Sequence, residues 1–206
     1  MIELPPTLRA PRIDEVPKNS PALERLKQRD KANIVQGYKL LQNDENEEQQ
    51  QLPFNFYAEV NIDNSKLWKL ITRLSQELPD VASLIFGYEG EEPFYGNYID
   101  KNDLLTDLLE FKSEIVKDTF IDIGIIYSDE ERLIEIFIPE SKYVKFWGVD
   151  EESFRQIMND FNLREIDNIE FVDEYPKVRE PLTLFDEKAI PTNEFIEQLT
   201  KKYIKN

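Results

Sequence analysis

The sequence predicts an α+β protein in which helices pack on one face of a mainly antiparallel sheet, with an N-terminal extended and helical arm beside it. Segments with strand-like and helix-like periodicity alternate from residue 53 onward. Two apolar runs, residues 120–127 and 133–138, are separated by the polar loop SDEER, which has the length of a hairpin connection. A mixed order of elements that contains a hairpin is typical of an α+β sheet, because parallel strands need longer crossovers.

The main domain is predicted over residues 51–206, and its first half has the order strand, helix, strand, helix. Apolar and polar side chains alternate over residues 54–61, and a helical repeat of leucine and isoleucine follows until Pro79. Residues 81–88 form a short apolar strand. Asp100 is placed to cap a second helix that runs to about Val116.

The second half of the domain begins with the hairpin. Residues 143–147 predict a short strand that Gly148 ends, and Asp150 caps the helix that follows. Residues 169–172 predict a last strand, and a C-terminal helix starts near Thr192. The strand over residues 143–147 carries Trp147, which would anchor a partner if the strand lies at a sheet edge and would belong to the core otherwise.

Residues 1–50 are predicted to be an appendage of arm and linker. Four prolines among the first 19 residues favour an extended chain. Ser20 and Pro21 form a helix start, and this helix is predicted to reach about Leu41, before the polar linker QNDENEEQQQ at residues 42–51. We therefore expect deletion of residues 1–50 to leave a cooperatively folding domain.

Charge is distributed unevenly along the chain, whose formal net charge is −17. Residues 1–41 carry eight basic and five acidic side chains, a net charge of +3, which leaves −20 on the remainder. Such a body repels phosphate backbones and anionic lipid, so neither nucleic acid nor a membrane is an expected partner. It attracts basic protein surfaces, although the same charge also serves to keep a protein soluble.

Composition excludes much catalytic chemistry. The chain contains no histidine and no cysteine, so the usual nucleophile pairs and zinc sites cannot be assembled. Glycine-rich phosphate loops and calcium loops are absent from the sequence as well. We predict no catalytic residues, no metal ligands and no cofactor. The remaining enzyme alternative is a carboxylate-based hydrolase that uses the acids between Glu89 and Asp100.

Two further expectations follow from the same absences. The sequence shows neither a signal peptide nor an apolar membrane span, which predicts a cytoplasmic protein. Because histidine is absent, the stability of the fold is expected to be nearly flat between about pH 6 and 8.

The most distinctive stretch is residues 87–98, which combine glycines, acids and aromatic rings. Its length predicts a loop that projects from the end of a strand and presents tyrosines and carboxylates to a basic partner; alternatively, Phe94 and Tyr95 fold back into the core. The hairpin tip is a second acidic site, although such tips are also charged simply because they are exposed. The predicted partner-binding residues are Glu89, Glu91, Glu92, Phe94, Tyr95, Tyr98, Asp129, Glu130, Glu131 and Trp147.

One region resembles a known family. Residues 120–129 (FIDIGIIYSD), 133–138 (LIEIFI) and 142–148 (KYVKFWG) are similar to the hairpin and following strand of small bacterial immunity proteins, which neutralise contact-dependent or other polymorphic toxins. The resemblance implies a non-enzymatic protein that binds a basic toxin domain and blocks its active site. No functional residue is carried over, because the family has no catalytic motif to match. An adaptor whose N-terminal arm wraps a partner is the alternative.

Overall fold

A computed structural model describes residues 2–43 and 52–204 and confirms the α+β class. The strands within these residues are β1 (Leu8–Arg9), β2 (Gly37–Gln42), β3 (Phe56–Asn61), β4 (Val81–Tyr88), β5 (Phe94–Tyr95), β6 (Ile99–Asp100), β7 (Ile121–Ser128), β8 (Leu133–Ile138), β9 (Val144–Gly148) and β10 (Val178–Arg179). Eight of them form one antiparallel sheet in the order β2-β3-β9-β8-β7-β4-β5, with β6 also paired to β4. β1 and β10 pair with each other.

The helices of the described residues are α1 (Pro21–Arg29), α2 (Asn64–Leu74), α3 (Lys101–Glu110), α4 (Lys112–Lys117), α5 (Glu151–Asp160) and α6 (Thr192–Tyr203). The predicted caps Asp100 and Asp150 are confirmed, since the Asp100 carboxylate accepts hydrogen bonds from the backbone of α3 and Asp150 does the same for α5. Ser20 stands at the N-cap of α1, but its side chain makes no cap hydrogen bond. The predicted second helix is divided at Phe111 into α3 and α4. No helix in this part of the chain is long and apolar enough to cross a membrane.

The core lies between helices α2 to α6 and one face of the sheet. Alternate residues of the central strands point into it, as the two-residue period of a strand requires. At its centre the rings of Phe146 and Phe154 stack with centroids 5.2 Å apart, and Phe56 packs against both. One face of each central strand therefore packs against the helices, and the side chains of the opposite face make other contacts.

The N-terminal region is more closely joined to the domain than the sequence predicted. The predicted helix ends at Arg29, and Gly37–Gln42 form the edge strand β2, which pairs with β3 along its whole length. Tyr38 is buried, its ring meets Phe154 edge to face at 5.5 Å, and its hydroxyl accepts a hydrogen bond from Arg155. A boundary at residue 50 therefore separates an edge strand from its own sheet. The predicted linker lies mostly outside the described residues.

One other strand prediction is wrong, whereas the strand predicted over residues 143–147 is present. Residues 169–172 do not form a strand; Ile169 and Phe171 instead pack with Tyr143 in a small apolar cluster. This cluster covers one end of the sheet face opposite the helices, where the Lys39 ammonium lies 4.8 Å from the Phe171 ring centroid. The strand that carries Trp147 is β9, which pairs with β3 on one side and β8 on the other. Trp147 is therefore on an interior strand and not at an edge.

Candidate functional site

The stretch predicted to project from a strand end instead folds back along the sheet. After β4 the chain turns at Gly90, whose φ of +80° favours glycine, and returns as β5 and β6 along the free side of β4. Gly87 allows this return, because a Cβ there would lie 3.2 Å from the Pro93 backbone. The prediction of a projecting loop is wrong, since residues 94–100 form an interrupted edge strand.

The three aromatic residues of this edge remain outside the core. Phe94, Tyr95 and Tyr98 are 42%, 62% and 48% exposed. Phe94 leans on the core through Phe86, with ring centroids 5.5 Å apart. Large rings held on a strand at such exposure give contact area at little cost in conformational entropy. The alternative in which Phe94 and Tyr95 are core residues is therefore not observed.

The hairpin tip, although distant in sequence, meets this edge through Tyr98. The Tyr98 hydroxyl accepts a hydrogen bond from the Ser128 backbone N–H at 2.9 Å, and its ring meets Tyr127 edge to face at 5.9 Å. Tyr127 donates to Asp129 at 2.8 Å, and backbone N–H groups of Glu131 and Arg132 also donate to that carboxylate. These hydrogen bonds stabilise the ionised carboxylate and lower the pKa of Asp129 to about 2, and the bond from the Tyr127 hydroxyl contributes most. Asp129 thus organises the turn.

The other acids of this region differ in whether they form ion pairs. Glu89 forms an ion pair with Arg179 at 2.9 Å, and Arg179 also donates to the Thr119 carbonyl. Glu91 and Glu92 are exposed, and among the described residues no Lys or Arg lies within 4.0 Å of either carboxylate. Glu130 and Glu131 at the hairpin tip are likewise exposed without such a partner in the described chain. These four glutamates carry charge that is available to another molecule.

We call this region the acidic edge: residues 89–100 together with the hairpin tip at residues 129–131. It brings nine of the ten predicted partner-binding residues onto one border of the sheet. Glu91 and Glu92 lie at one end of β4 and the hairpin tip at the other, roughly 25 Å apart at strand spacing. Trp147 is excluded from it, because β9 lies four strands away from β5, about 19 Å.

The acids of the hydrolase alternative are not brought together. Glu89 and Asp100 lie at opposite ends of β4, one paired to Arg179 and the other capping α3. Within residues 2–43 and 52–204, no group of three or more acidic side chains is arranged to hold a metal ion. Glu89 and Asp100 are therefore not placed to act together on one bond.

A buried polar cluster around Lys142 is not predicted by the sequence. This lysine has a φ of +60° and is 3% exposed, and its ammonium donates to the Ile121 carbonyl at 3.1 Å. Burial lowers the pKa of Lys142 to about 8, against the opposing effect of the nearby carboxylates of Asp118, Asp122 and Glu140. Only the run of three polar residues at 140–142 between two apolar strands signals this cluster in the sequence.

A second functional candidate outside the predicted residues is Glu135, the single charged residue of the apolar run LIEIFI. It points away from the helices between Trp147 on β9 and Ile126 on β7. Burial alone raises the pKa of its carboxyl to about 7. Because side chains alternate between the two faces of a strand, the position of Glu135 in the sequence indicates that this face of the sheet carries a carboxylate.

Comparison with known proteins gives no relative from which a role could be transferred: no family model, curated protein or solved structure is significantly similar to this chain.

Proposed function

We propose that this chain is a protein-binding protein that uses the acidic edge to hold a basic partner, and that the partner is a toxin domain which it neutralises. The observation that supports the proposal is the combination, on one free sheet edge, of three exposed aromatic rings with four glutamates that have no cation partner in the described chain. Aromatic anchors beside complementary charge are the usual composition of an energetic protein interface.

The local charge supports a basic partner. Residues 88–110 contain seven acids and one lysine, a net charge of −6, and residues 128–132 add three acids and one arginine, a further −2. A surface of this sign accelerates encounter with a basic protein and repels nucleic acid. A toxin that acts on nucleic acid carries basic side chains around its substrate groove, so the acidic edge would fill that groove in place of phosphates.

The exposed rings supply the short-range part of the same proposal. Rim charges act mainly on the rate of association, whereas a ring that leaves water on binding acts mainly on the rate of dissociation. Tyr95 is the most exposed of the three rings and contacts no other aromatic ring in the described structure. It is therefore the residue whose removal separates binding from folding most cleanly.

The test is co-expression with the product of the adjacent gene, because an immunity gene lies directly beside the gene of its toxin. We expect the wild-type chain to protect cells from that product and to form a stable complex with it. Tyr95→Ala should speed dissociation of the complex by about tenfold while the melting temperature stays unchanged. A neighbouring product that is neither toxic nor bound by the chain would contradict the proposal.

A further inference from the structure

The sheet has a second surface that the acidic edge does not include. On the face opposite the helices, beyond the cluster of Tyr143 and Phe171, the strands β3, β9, β8 and β7 present side chains that remain partly exposed. We call this surface the open face; its residues are Tyr57, Ile126, Glu135, Phe137, Lys145 and Trp147. Exposed aromatic residues on a sheet face mark an interaction surface more often than an ordinary solvent face.

Four residues at the centre of the open face form a rectangle. Glu135 lies directly opposite Trp147, and Phe137 lies directly opposite Lys145, on the neighbouring strands β8 and β9. The sides of this rectangle are about 4.8 Å across the strands and about 6.8 Å along them. One diagonal joins the two opposite charges, Glu135 and Lys145, and the other joins the two aromatic rings. When a second copy of this face is turned over and laid on the first, charges of opposite sign come together.

Neither charge of that diagonal forms an ion pair with another described residue. Glu59, the cross-strand neighbour of Lys145 on β3, forms its ion pair with Lys39 at 2.5 Å. The Lys145 ammonium instead lies 5.6 Å from the Tyr143 ring centroid, and in the described residues no carboxylate comes within 4.0 Å of it. Glu135 has no cation within that distance in the described chain either, and its raised pKa has burial as its only cause.

We propose that a second copy of this chain packs on the open face, with Glu135 of each copy paired to Lys145 of the partner subunit. A two-fold axis that lies between the sheets, along the Trp147–Phe137 diagonal, brings each Glu135 over Lys145 of the partner subunit, with an in-plane offset of about 3 Å because the rectangle is not square. In such a two-fold interface every contact occurs twice, and residues on the axis meet their own copies. Sheets that pack face to face lie about 10 Å apart, which aromatic side chains span.

Charge favours a second copy over the basic partner of the acidic edge. The two charged residues of the open face, Glu135 and Lys145, sum to zero, and Lys39 and Glu59 beside them pair with each other, in a chain whose net charge is −17. A basic molecule is drawn to the acidic edge and finds no excess of negative charge here. The proposal does not depend on the proposed function, because it concerns other residues and another partner.

The experiment is sedimentation equilibrium of the full chain over a wide range of concentration, with charge-reversed variants. We expect a monomer–dimer equilibrium that added salt strengthens, since salt screens the repulsion between two acidic bodies. E135K and K145E should each weaken the dimer by about a hundredfold, because each places two like-charge pairs in the interface. An equimolar mixture of E135K with K145E should dimerise again, and so should the double variant E135K/K145E.

E91K is the matched control, because it changes the net charge by the same amount as E135K but lies on the acidic edge. It should leave the dimer as strong as wild type or slightly stronger. A chain that stays monomeric at every concentration overturns the proposal. So does a dimer that E135K and K145E leave intact, or one that they break and that neither the mixture nor the double variant restores. K145E keeps the test valid if E135K fails to fold, because Lys145 is partly exposed.

Discussion

The acidic edge and the open face both carry aromatic side chains outside the helix-covered core, but the acidic edge has an excess of negative charge and the open face does not. On the acidic edge the rings are 42% to 62% exposed and stand among glutamates without cation partners in the described chain. On the open face the Tyr57 and Trp147 rings pack on each other with centroids 4.8 Å apart, and the charges of Glu135 and Lys145 balance. A surface in excess of one charge suits a different molecule of opposite charge, whereas a balanced one suits a copy of itself.

The two regions also differ in their dependence on the N-terminal segment. β2 borders the side of the sheet that holds the open face, whereas the acidic edge lies at the far end of the strand order. Deletion of residues 1–43 would remove β2, expose one side of β3 and take the buried Tyr38 out of the core. We expect loss of the cooperative transition in thermal denaturation, the largest effect of this set, because several kcal/mol of burial are lost.

The matched control for that deletion is Ile13→Ala in the same segment. Ile13 is 73% exposed, so its truncation should change stability by about 0.5 kcal/mol or less. A truncated chain that still melts cooperatively would show that β2 is an accessory strand and that residues 1–50 are dispensable for folding.

Alanine substitutions at the two surfaces should distinguish a ring that stabilises the fold by packing from a ring that is mainly exposed to solvent. Trp147→Ala removes a partly buried ring that contacts Tyr57, and we expect a loss of about 2–3 kcal/mol in the free energy of unfolding. Tyr95→Ala removes a ring that is 62% exposed and should cost about 0.5 kcal/mol or less. Chemical denaturation of the two variants measures both values. Equal losses would mean that the acidic edge is part of the packed structure.

The stability of the monomer should depend on pH near neutrality, contrary to the expectation from the absence of histidine. Glu135 has a pKa raised to about 7, so the folded state holds more protons than the unfolded state between the ordinary glutamate pKa and about pH 7. Stability therefore falls as pH rises through that window. The pKa of Lys142 is lowered to about 8, so stability rises again as pH increases above 8. The two groups together predict a minimum between pH 7 and 8.

Glu135→Gln tests this account. The variant should abolish the fall below pH 7 and be more stable than wild type at pH 8 by about 2 kcal/mol, after allowance for solvent at this partly exposed site. Denaturation should be followed at low protein concentration, where dimerisation does not stabilise the ionised carboxylate. An unchanged pH profile would show that the Glu135 carboxyl titrates as an ordinary glutamate.

The sequence predicted those elements whose signal is local. The β7–β8 hairpin, the Asp100 and Asp150 caps and the helix from Thr192 follow from alternation and capping residues within a few positions. β2 was missed because Tyr38 and Leu40 alternate over only six residues, and their pairing with β3 is decided by tertiary contacts.

The surfaces could be predicted only in part. The residues of the acidic edge were named from composition, because acids and aromatic rings adjoin in the sequence there. Their arrangement along β4, and the contact of Tyr98 with Ser128 across thirty positions, depend on strand pairing that no local pattern specifies. The open face combines residues from four strands, so its balance of charges becomes visible only when Glu135, Trp147 and Lys145 are placed in register.

The substitutions that weaken partner binding most should change the stability of the fold least. Glu91 and Glu92 are exposed and lack cation partners in the described chain, so the double variant E91Q/E92Q should leave the unfolding free energy within about 0.5 kcal/mol of wild type. Thermal or chemical denaturation checks this value. A larger change would mean that these carboxylates support the turn at Gly90.

The central claim, that the acidic edge and not the open face holds the basic partner, is tested most directly by association kinetics with the product of the adjacent gene at two salt concentrations. E91Q/E92Q should slow association by several-fold and reduce its salt dependence, because these charges steer the encounter. Glu135→Gln, which also neutralises carboxylate charge but on the open face, should leave the association rate and its salt dependence at the wild-type values. Slower association of Glu135→Gln with unchanged kinetics of E91Q/E92Q would contradict the account.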